Sequence, residues 1–331
     1  MNTTSVSYTL YDTGVAVEQA VTHLMASPFV LLDCEGRDLG TSGGALSLIC
    51  IGTSKAETIY LFDVPTLSQG GASITPLFEL LRSKEVKKVM WDGRMDFIAI
   101  LDAFGVGIEN VVDLQVAEVV SRGIVRGEEE KQRLRRLASN FFGFQAVKVD
   151  PKRFEGIHLA IGMQKCLDQN KLGGGIEKDP EVTAMHKANK TGVWMDRPLS
   201  HQLLRYAATD IYLLSILHES FTEKGWLFPA VIDTISSQSQ CYISMFQGVD
   251  VVEDGVFRPG PLINLRHLHT KPEDLVHVCA GCRCRLAVDV FVTRTRRFGE
   301  SRRVQRLSRC RVCNLMAGKK GLNPDVDWVD V

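Results

Sequence analysis

The chain has 331 residues, 45% of them hydrophobic, with 39 basic and 39 acidic side chains and so no net formal charge. That is long for one domain, suited to two, and rich enough in apolar residues for packed cores. Its start, MNTTSVSYTLYDTG, lacks a basic-then-apolar leader, and no run approaches about 18 uninterrupted apolar residues, so secretion and membrane spanning are not expected and an intracellular place, nuclear or cytoplasmic, is.

The balance is uneven along the chain. From Arg283 to Lys320 there are twelve Lys or Arg against Asp289 and Glu300, a local net of +10 that leaves −10 for the rest. Cysteines are skewed the same way: Cys34, Cys50, Cys166 and Cys241 are scattered, whereas Cys279, Cys282, Cys284, Cys310 and Cys313 crowd the end. An odd count with paired CxxC spacing favours a reduced compartment and metal over disulfides.

Taken in order, Phe29 to Leu32 suits a central strand, LGTSGG (39 to 44) a break, ALSLICIG (45 to 52) a second strand and TIYLFDV (58 to 64) a third, joined as an antiparallel meander. ITPLFELLRS has helical spacing, VKKVMW (86 to 91) reads as a strand, MDFIAILDAFG as a helix closed by Gly105, and NVVDLQVAEVV as a strand running into a helix. This order predicts a mixed sheet covered by helices. EEEKQRLRRLASNFFGF (128 to 144) reads as an exposed amphipathic helix with acids early and bases late, as the helix dipole favours. GGG (173 to 175) has no strand before it and no GK[ST] after it, so it reads as a surface turn and not a phosphate loop. From Pro198, LSHQLLRYAATDIYLLSILHESF forms one long helix.

Side chains alternate along a strand, so Asp33 and Glu35 share a face while Cys34 takes the other. A lone D-x-E is usually a solvated strand end. Here two more carboxylates occupy comparable settings: Asp96 follows the strand VKKVMW, and Asp210 lies within the apolar face of YAATDIYLLSIL. A charge there needs a partner, because burying it alone is costly. Tyr206 precedes Asp210 by four residues and so shares its helix face.

DCE (33 to 35), WDGRMD (91 to 96) and RPLSHQLLRYAATD (197 to 210) resemble, in order and spacing, the three motifs of the DEDDy 3′-to-5′ exonucleases, above all ribonuclease D, the Werner exonuclease domain and eukaryotic proteins that carry that domain alone. The resemblance covers roughly residues 5 to 225, and the third motif is its most specific part. It implies a ribonuclease H-like fold with a mixed five-stranded sheet flanked by helices. It also implies two Mg²⁺ or Mn²⁺ ions in an all-oxygen site, Asp33 bridging them, Glu35 and Asp210 completing one and Asp96 holding the other through water. Tyr206 is expected to orient the attacking water, and the ions, about 3.5–4 Å apart, to activate that water and stabilise the leaving oxygen. The second motif often carries His or Asn where this chain has Trp91 and Asp92, and Lys148 to Met195 follows the family pattern poorly. The expected activity is release of 5′-mononucleotides from single-stranded 3′ ends, RNA slightly ahead of DNA. Some relatives have lost carboxylates and act as silent binding platforms; this chain keeps all of them.

At the other end CAGC (279 to 282) and CRVC (310 to 313) form two C-x₂-C pairs with 27 residues between them. Four thiolates on two turns match tetrahedral Zn²⁺ in a zinc-ribbon-like appendage, with Cys284, His277 and His269 as substitute ligands and LAVDVFVTRTRRF as a hairpin strand. The alternative is a basic tail with free thiols. Arg294, Arg296, Arg297, Arg302, Arg303 and Arg306 are expected to contact phosphates without sequence choice. The expected organisation is an exonuclease domain over 1–230, a connecting segment over 231–264 with FRPGPLIN (257 to 264) as the linker, and a basic Cys-rich region over 265–331.

Overall fold

The computed structural model describes residues 6–69, 74–174, 176, 178–252, 255–298, 301–323 and 327–331. Gly175, the last residue of the glycine triplet, lies outside that set. The chain divides into two compact units, one formed by residues 1–118 and 162–244 and the other by 119–161 and 245–331. The segment 119–161 thus groups with the C-terminal residues, while the helix Pro229–Ser244 belongs to the first unit.

The first unit is built on a mixed sheet of six strands: β1 (Thr9–Tyr11), β2 (Val30–Arg37), β3 (Ala45–Thr53), β4 (Ile59–Asp63), β5 (Lys88–Met90) and β6 (Val111–Asp113). Their spatial order is β1-β4-β3-β2-β5-β6. Strands β2, β3 and β4 form the expected antiparallel meander, and β5 and β6 add in parallel on the other side of β2. The expectation of five strands is corrected to six: Thr9–Tyr11 pairs in parallel with Tyr60–Phe62 at the edge. Three residues at a sheet edge carry too little periodicity to be read as a strand.

Strand β2 is central and reads as an unbroken apolar run up to its acids because elements cover both faces. Val30, Leu31 and Leu32 are fully buried. The helix His201–Glu223 packs on β2, β3 and β4. Ser200 caps it by accepting from the Leu203 amide, as a serine at that position should. Gly52 permits its close approach to the sheet, since a Cβ there would sit 2.5 Å from Cγ2 of Ile211. The helix Arg94–Phe104 follows β5 and ends at Gly105, which has φ +67°, a conformation glycine adopts without steric cost.

In the second unit the expected amphipathic helix spans Glu130–Leu137, with a capping box between Glu129 and Gln132, and continues as a π-helical turn over Ala138–Phe142. Its Leu137 and Ala138 pack with Phe154, Ile157, Leu262 and Leu315 in one apolar cluster. The end of the proline-glycine stretch is not free chain: Leu262–Asn264 pairs antiparallel with Ile157–Leu159. The basic segment is a hairpin of Phe291–Phe298 and Ser301–Cys310, extended by Trp328–Asp330 and followed by the helix Arg311–Lys319.

Candidate active site

Strand alternation, one helix start and one helix face bring the acids together. Asp33 and Glu35 lie on β2 opposite Cys50 and Leu48 of β3. Asp210 comes from the His201–Glu223 helix, and Asp96 from the first turn of the Arg94–Phe104 helix. A carboxylate oxygen from each of Asp33, Glu35 and Asp210 lies within 4.8 Å of the others. Asp96 stands outside that close trio; its Oδ1 accepts the Cys34 amide at 2.9 Å.

Glu35, Asp96 and Asp210 are buried, and Asp33 is half-buried. Burial first, and the neighbouring Asp210 second, push the Asp33 carboxyl up to about 7. Burial and then Asp33 hold Glu35 and Asp96 well above the usual carboxylate range, and burial raises Asp210 while Lys178 opposes the rise. Such a group of acids is stable in ionised form only with cations among them. Asp210 shows where one belongs. Its Oδ2 holds the Lys178 ammonium at 2.6 Å, whereas its buried Oδ1 has no hydrogen-bond partner. An orphaned buried carboxylate oxygen beside two further carboxylates is an oxygen donor set that fits a hard divalent ion.

Tyr206 lies one turn before Asp210 and is buried; burial and the carboxylates of Asp210, Glu35 and Asp33 push its hydroxyl upward, so it stays a phenol. Its ring stacks on His186 at 5.5 Å and 19°, and Trp194 lies 6.4 Å away. His186 in turn places Nε2 3.7 Å from Glu35 and accepts from the Trp194 indole at 3.3 Å. A cavity of about 250 Å³ opens beside the acids, lined among others by Asp33, Trp91, Asp92, Gln115, Lys178 and Asp210.

Arg94 and Arg197, from the second and third motifs, are framework. Arg94 grips Asp92 through Nε and Nη2 at 2.5 and 2.8 Å and lies over the Tyr242 ring at 4.5 Å. The Tyr242 hydroxyl donates to Gln115 at 2.7 Å and contacts Asp92 at 3.2 Å. Arg197 pairs with Asp63 at 2.7 Å and donates to Oγ of Ser47 at 2.9 Å, fastening the start of the long helix to the sheet. Lys178, His186, Trp194 and Tyr242 were not foreseen from the sequence. A start signal was present for the helix that carries His186: Asp179 caps Pro180–Lys187 by accepting from Glu181 and Val182, the Asp-Pro pair that opens helices.

In the second unit one sulfur from each of Cys279, Cys282, Cys310 and Cys313 lies within the same 4.8 Å limit. Backbone amides point at these sulfurs: Gly281 and Cys310 donate to Cys279 at 3.3 and 3.2 Å, and Cys313 donates to Cys310 at 3.5 Å. Gly281 is required by this closeness, because a Cβ there would meet the Cys313 sulfur at 2.8 Å. The thiols bias one another, Cys282 being pulled strongly down by hydrogen bonds from its neighbours while Cys310 and Cys313 are pushed up. Four converging soft ligands with amide donors fit zinc. Cys284 is buried nearby with its sulfur toward the Cys282 carbonyl at 3.6 Å, outside the four.

The six arginines expected on phosphate do not behave alike. Arg306 differs from the others: it is buried, its guanidinium lies 4.5 Å over the Phe291 ring and it donates to the Leu307 carbonyl. Arg294 stacks on Trp328 at 3.9 Å and chelates the Gln305 side chain. Arg296, Arg297, Arg302 and Arg303 are exposed, and they pair across the hairpin as Arg296 with Arg303 and Arg297 with Arg302. Like charges directly opposite are unfavourable in a hairpin, and at Arg303 the Asp330 carboxylate, 3.4 Å away, offsets part of this.

Residues 8–153 match a family model described as a 3′-5′ exonuclease. Among solved structures, Trypanosoma brucei RNase D is similar at 23% identity and a TM-score of 0.56, covering 79% of this chain and 80% of that one. The same protein in complex with RNA U12 gives a TM-score of 0.55 at 23% identity over 79% and 78%. No curated protein matches. No helix among the described residues is long and apolar enough to cross a membrane.

Proposed function

We propose that this chain, whose residues 8–153 match a 3′-5′ exonuclease model, removes nucleotides one at a time from single-stranded 3′ ends, RNA ahead of DNA, at the Asp33, Glu35, Asp210 cluster. The single observation that carries the reading is the convergence of Asp33, Glu35 and Asp210 within 4.8 Å of one another, with the buried Oδ1 of Asp210 left without a hydrogen-bond partner. Asp33, Glu35 and Asp210, with Asp96 behind them, would hold Mg²⁺ or Mn²⁺ as a pair of ions, which when bound supply an activated water and charge stabilisation for the leaving oxygen.

The chain's own residues do the rest. Tyr206, kept as a phenol and clamped against His186, presents a hydroxyl beside the carboxylates that orients the water by a hydrogen bond. The water oxygen bonds to phosphorus as the P–O3′ bond breaks; the departing 3′ oxygen takes a proton and the product leaves as a 5′-mononucleotide. Trp91, Asp92 and Gln115 line the space where the terminal nucleotide sits. The preference for RNA is supported by the similar fold of an RNase D held with U12.

In the second unit Cys279, Cys282, Cys310 and Cys313 would hold zinc, which would tie two turns together, and the exposed Arg296, Arg297, Arg302 and Arg303 would supply phosphate affinity without sequence choice. The test is digestion of single strands labelled at one end or the other, with Mg²⁺ or Mn²⁺, by wild type and Asp33→Asn. Wild type shortens strands from the 3′ end and the variant does not; equal digestion by both would place the chemistry elsewhere.

A further inference from the structure

The acid cluster contains a cation of its own. Lys178 comes from a stretch with no helical or strand pattern, yet its side chain is half-buried, only 18% exposed, and its ammonium sits 2.6 Å from Oδ2 of Asp210. It also lies 5.4 Å from the centre of the Tyr206 ring and lines the cavity beside the acids. Its root is fixed. The next residue, Asp179, caps the following helix and accepts Gln202 of the long helix at 3.1 Å through both carboxylate oxygens. Gln202 and Asp210 belong to the same helix, so the backbone beside Lys178 is tied to the element that carries the carboxylate it grips. Beyond that root the side chain is a flexible stem with a compact charge.

We propose that Lys178 is a built-in competitor of the divalent ion for Asp210, and that a phosphate arriving in the cavity releases the competition by giving the ammonium another partner. The inference rests on the reading that the cluster takes divalent ions. An ion on Asp210 either displaces the ammonium from Oδ2 or sits next to it at Oδ1; both oppose binding, one by competition and the other by repulsion. The tether keeps the released ammonium inside the cavity, where the anion that can neutralise it is the phosphodiester or phosphate of the ligand. Ion and phosphate are thereby coupled: each binds more tightly when the other is present, by the same factor. The exchange leaves the site poorly loaded without substrate and fully loaded with it.

The experiment titrates Mn²⁺ by calorimetry into full-length protein already loaded with zinc, at slightly alkaline pH, with and without UMP as the phosphate probe. Wild type, Lys178→Met, Lys178→Arg and Asp33→Asn are compared, and circular dichroism confirms the fold of each. Lys178→Met is expected to bind Mn²⁺ about tenfold or more tightly than wild type, within the usual range of coupling between sites, while Lys178→Arg stays close to wild type. UMP should tighten Mn²⁺ binding to wild type by a larger factor than to Lys178→Met, which keeps only the direct contact of ion and phosphate.

Mn²⁺ binding by folded Lys178→Met that is no tighter than wild type overturns the exchange. If Lys178→Met does not fold, Lys178→Gln carries the same comparison; failure of both to fold would make Lys178 a structural anchor and also overturn it. Binding that is lost in Asp33→Asn but unchanged in Lys178→Met sinks the exchange and spares the divalent-ion reading. Wild type indistinguishable from Asp33→Asn sinks both.

Discussion

The carboxylate cluster and the thiol cluster each gather like-charged ligands, but the chain assembles them in opposite ways. Asp33, Glu35 and Asp210 come from a central strand and a helix that begins more than 160 residues later, so their convergence depends on the whole sheet. The four thiols come from two short turns, with Cys310 capping the helix that carries Cys313, and little more than the turns is needed to set them. A distributed hard site requires the fold before the ion, whereas a local soft site lets the ion make the fold.

The largest effect that separates the two is expected from Cys313→Ser. It removes one of four zinc ligands and so most of a metal contribution of apparent size about 10 kcal/mol. Metal analysis should fall from about one zinc per chain to none, with loss of the cooperative melting of the second unit, while short strands are still cleaved. Unchanged zinc content would mean that the thiols are not the ligands.

Next comes Asp33→Asn, which should raise the barrier by about 4 kcal/mol or more, roughly a thousandfold in rate, without lowering the melting temperature. Tyr206→Phe removes an orienting hydroxyl and no metal charge, so its loss should be the smaller, about a hundredfold. If steady-state kinetics gave the reverse ranking, the assigned roles would be wrong.

Arg197→Ala probes the dependence of the acidic site on distant framework. It leaves the buried Asp63 carboxylate without its 2.7 Å partner, and removing one member of such a pair costs about 3 kcal/mol. Thermal melts should show the first unit destabilised, and the zinc content should not change. Zinc loss in this variant would contradict the independence of the two clusters.

The smallest expected effect is on grip. Replacing Arg296, Arg297, Arg302 and Arg303 by serine should flatten the slope of log affinity against log salt on single strands by up to about 3, since each phosphate contact contributes about 0.7. A fluorescence titration at several salt concentrations reads this directly. A slope equal to wild type would assign the hairpin another anionic partner.

What the sequence revealed follows the same division between near and far. Asp33 with Glu35 is a spacing of two on a strand, Tyr206 with Asp210 a spacing of four on a helix, and each CxxC a single turn; such patterns carry their geometry with them. Asp96 was found because it stands at a strand-to-helix junction inside a recognisable motif. Lys178 and Asp210 are 32 positions apart, and nothing at 178 marks it; only the path of the chain brings the ammonium to the carboxylate. Tyr242 stayed hidden because its helix, PAVIDTISSQSQCYIS, is rich in serine and weakly amphipathic, and serine favours caps and turns over helix interiors. Its burial against Gln115 and Asp92, not its propensity, holds that helix in place. The inward place of Arg306 stayed hidden for a related reason: in a run of arginines, composition does not say which one the hairpin turns onto Phe291.

The central claim is that the carboxylate cluster cuts strands from the 3′ end, and the polarity of digestion tests it most directly. Full-length protein with Mn²⁺ acting on a single-stranded RNA labelled at its 5′ end should give a ladder that shortens stepwise, with unlabelled nucleoside 5′-monophosphates released and no activity from Asp33→Asn. Internal fragments, immediate release of the labelled end, or equal digestion by the variant would contradict it.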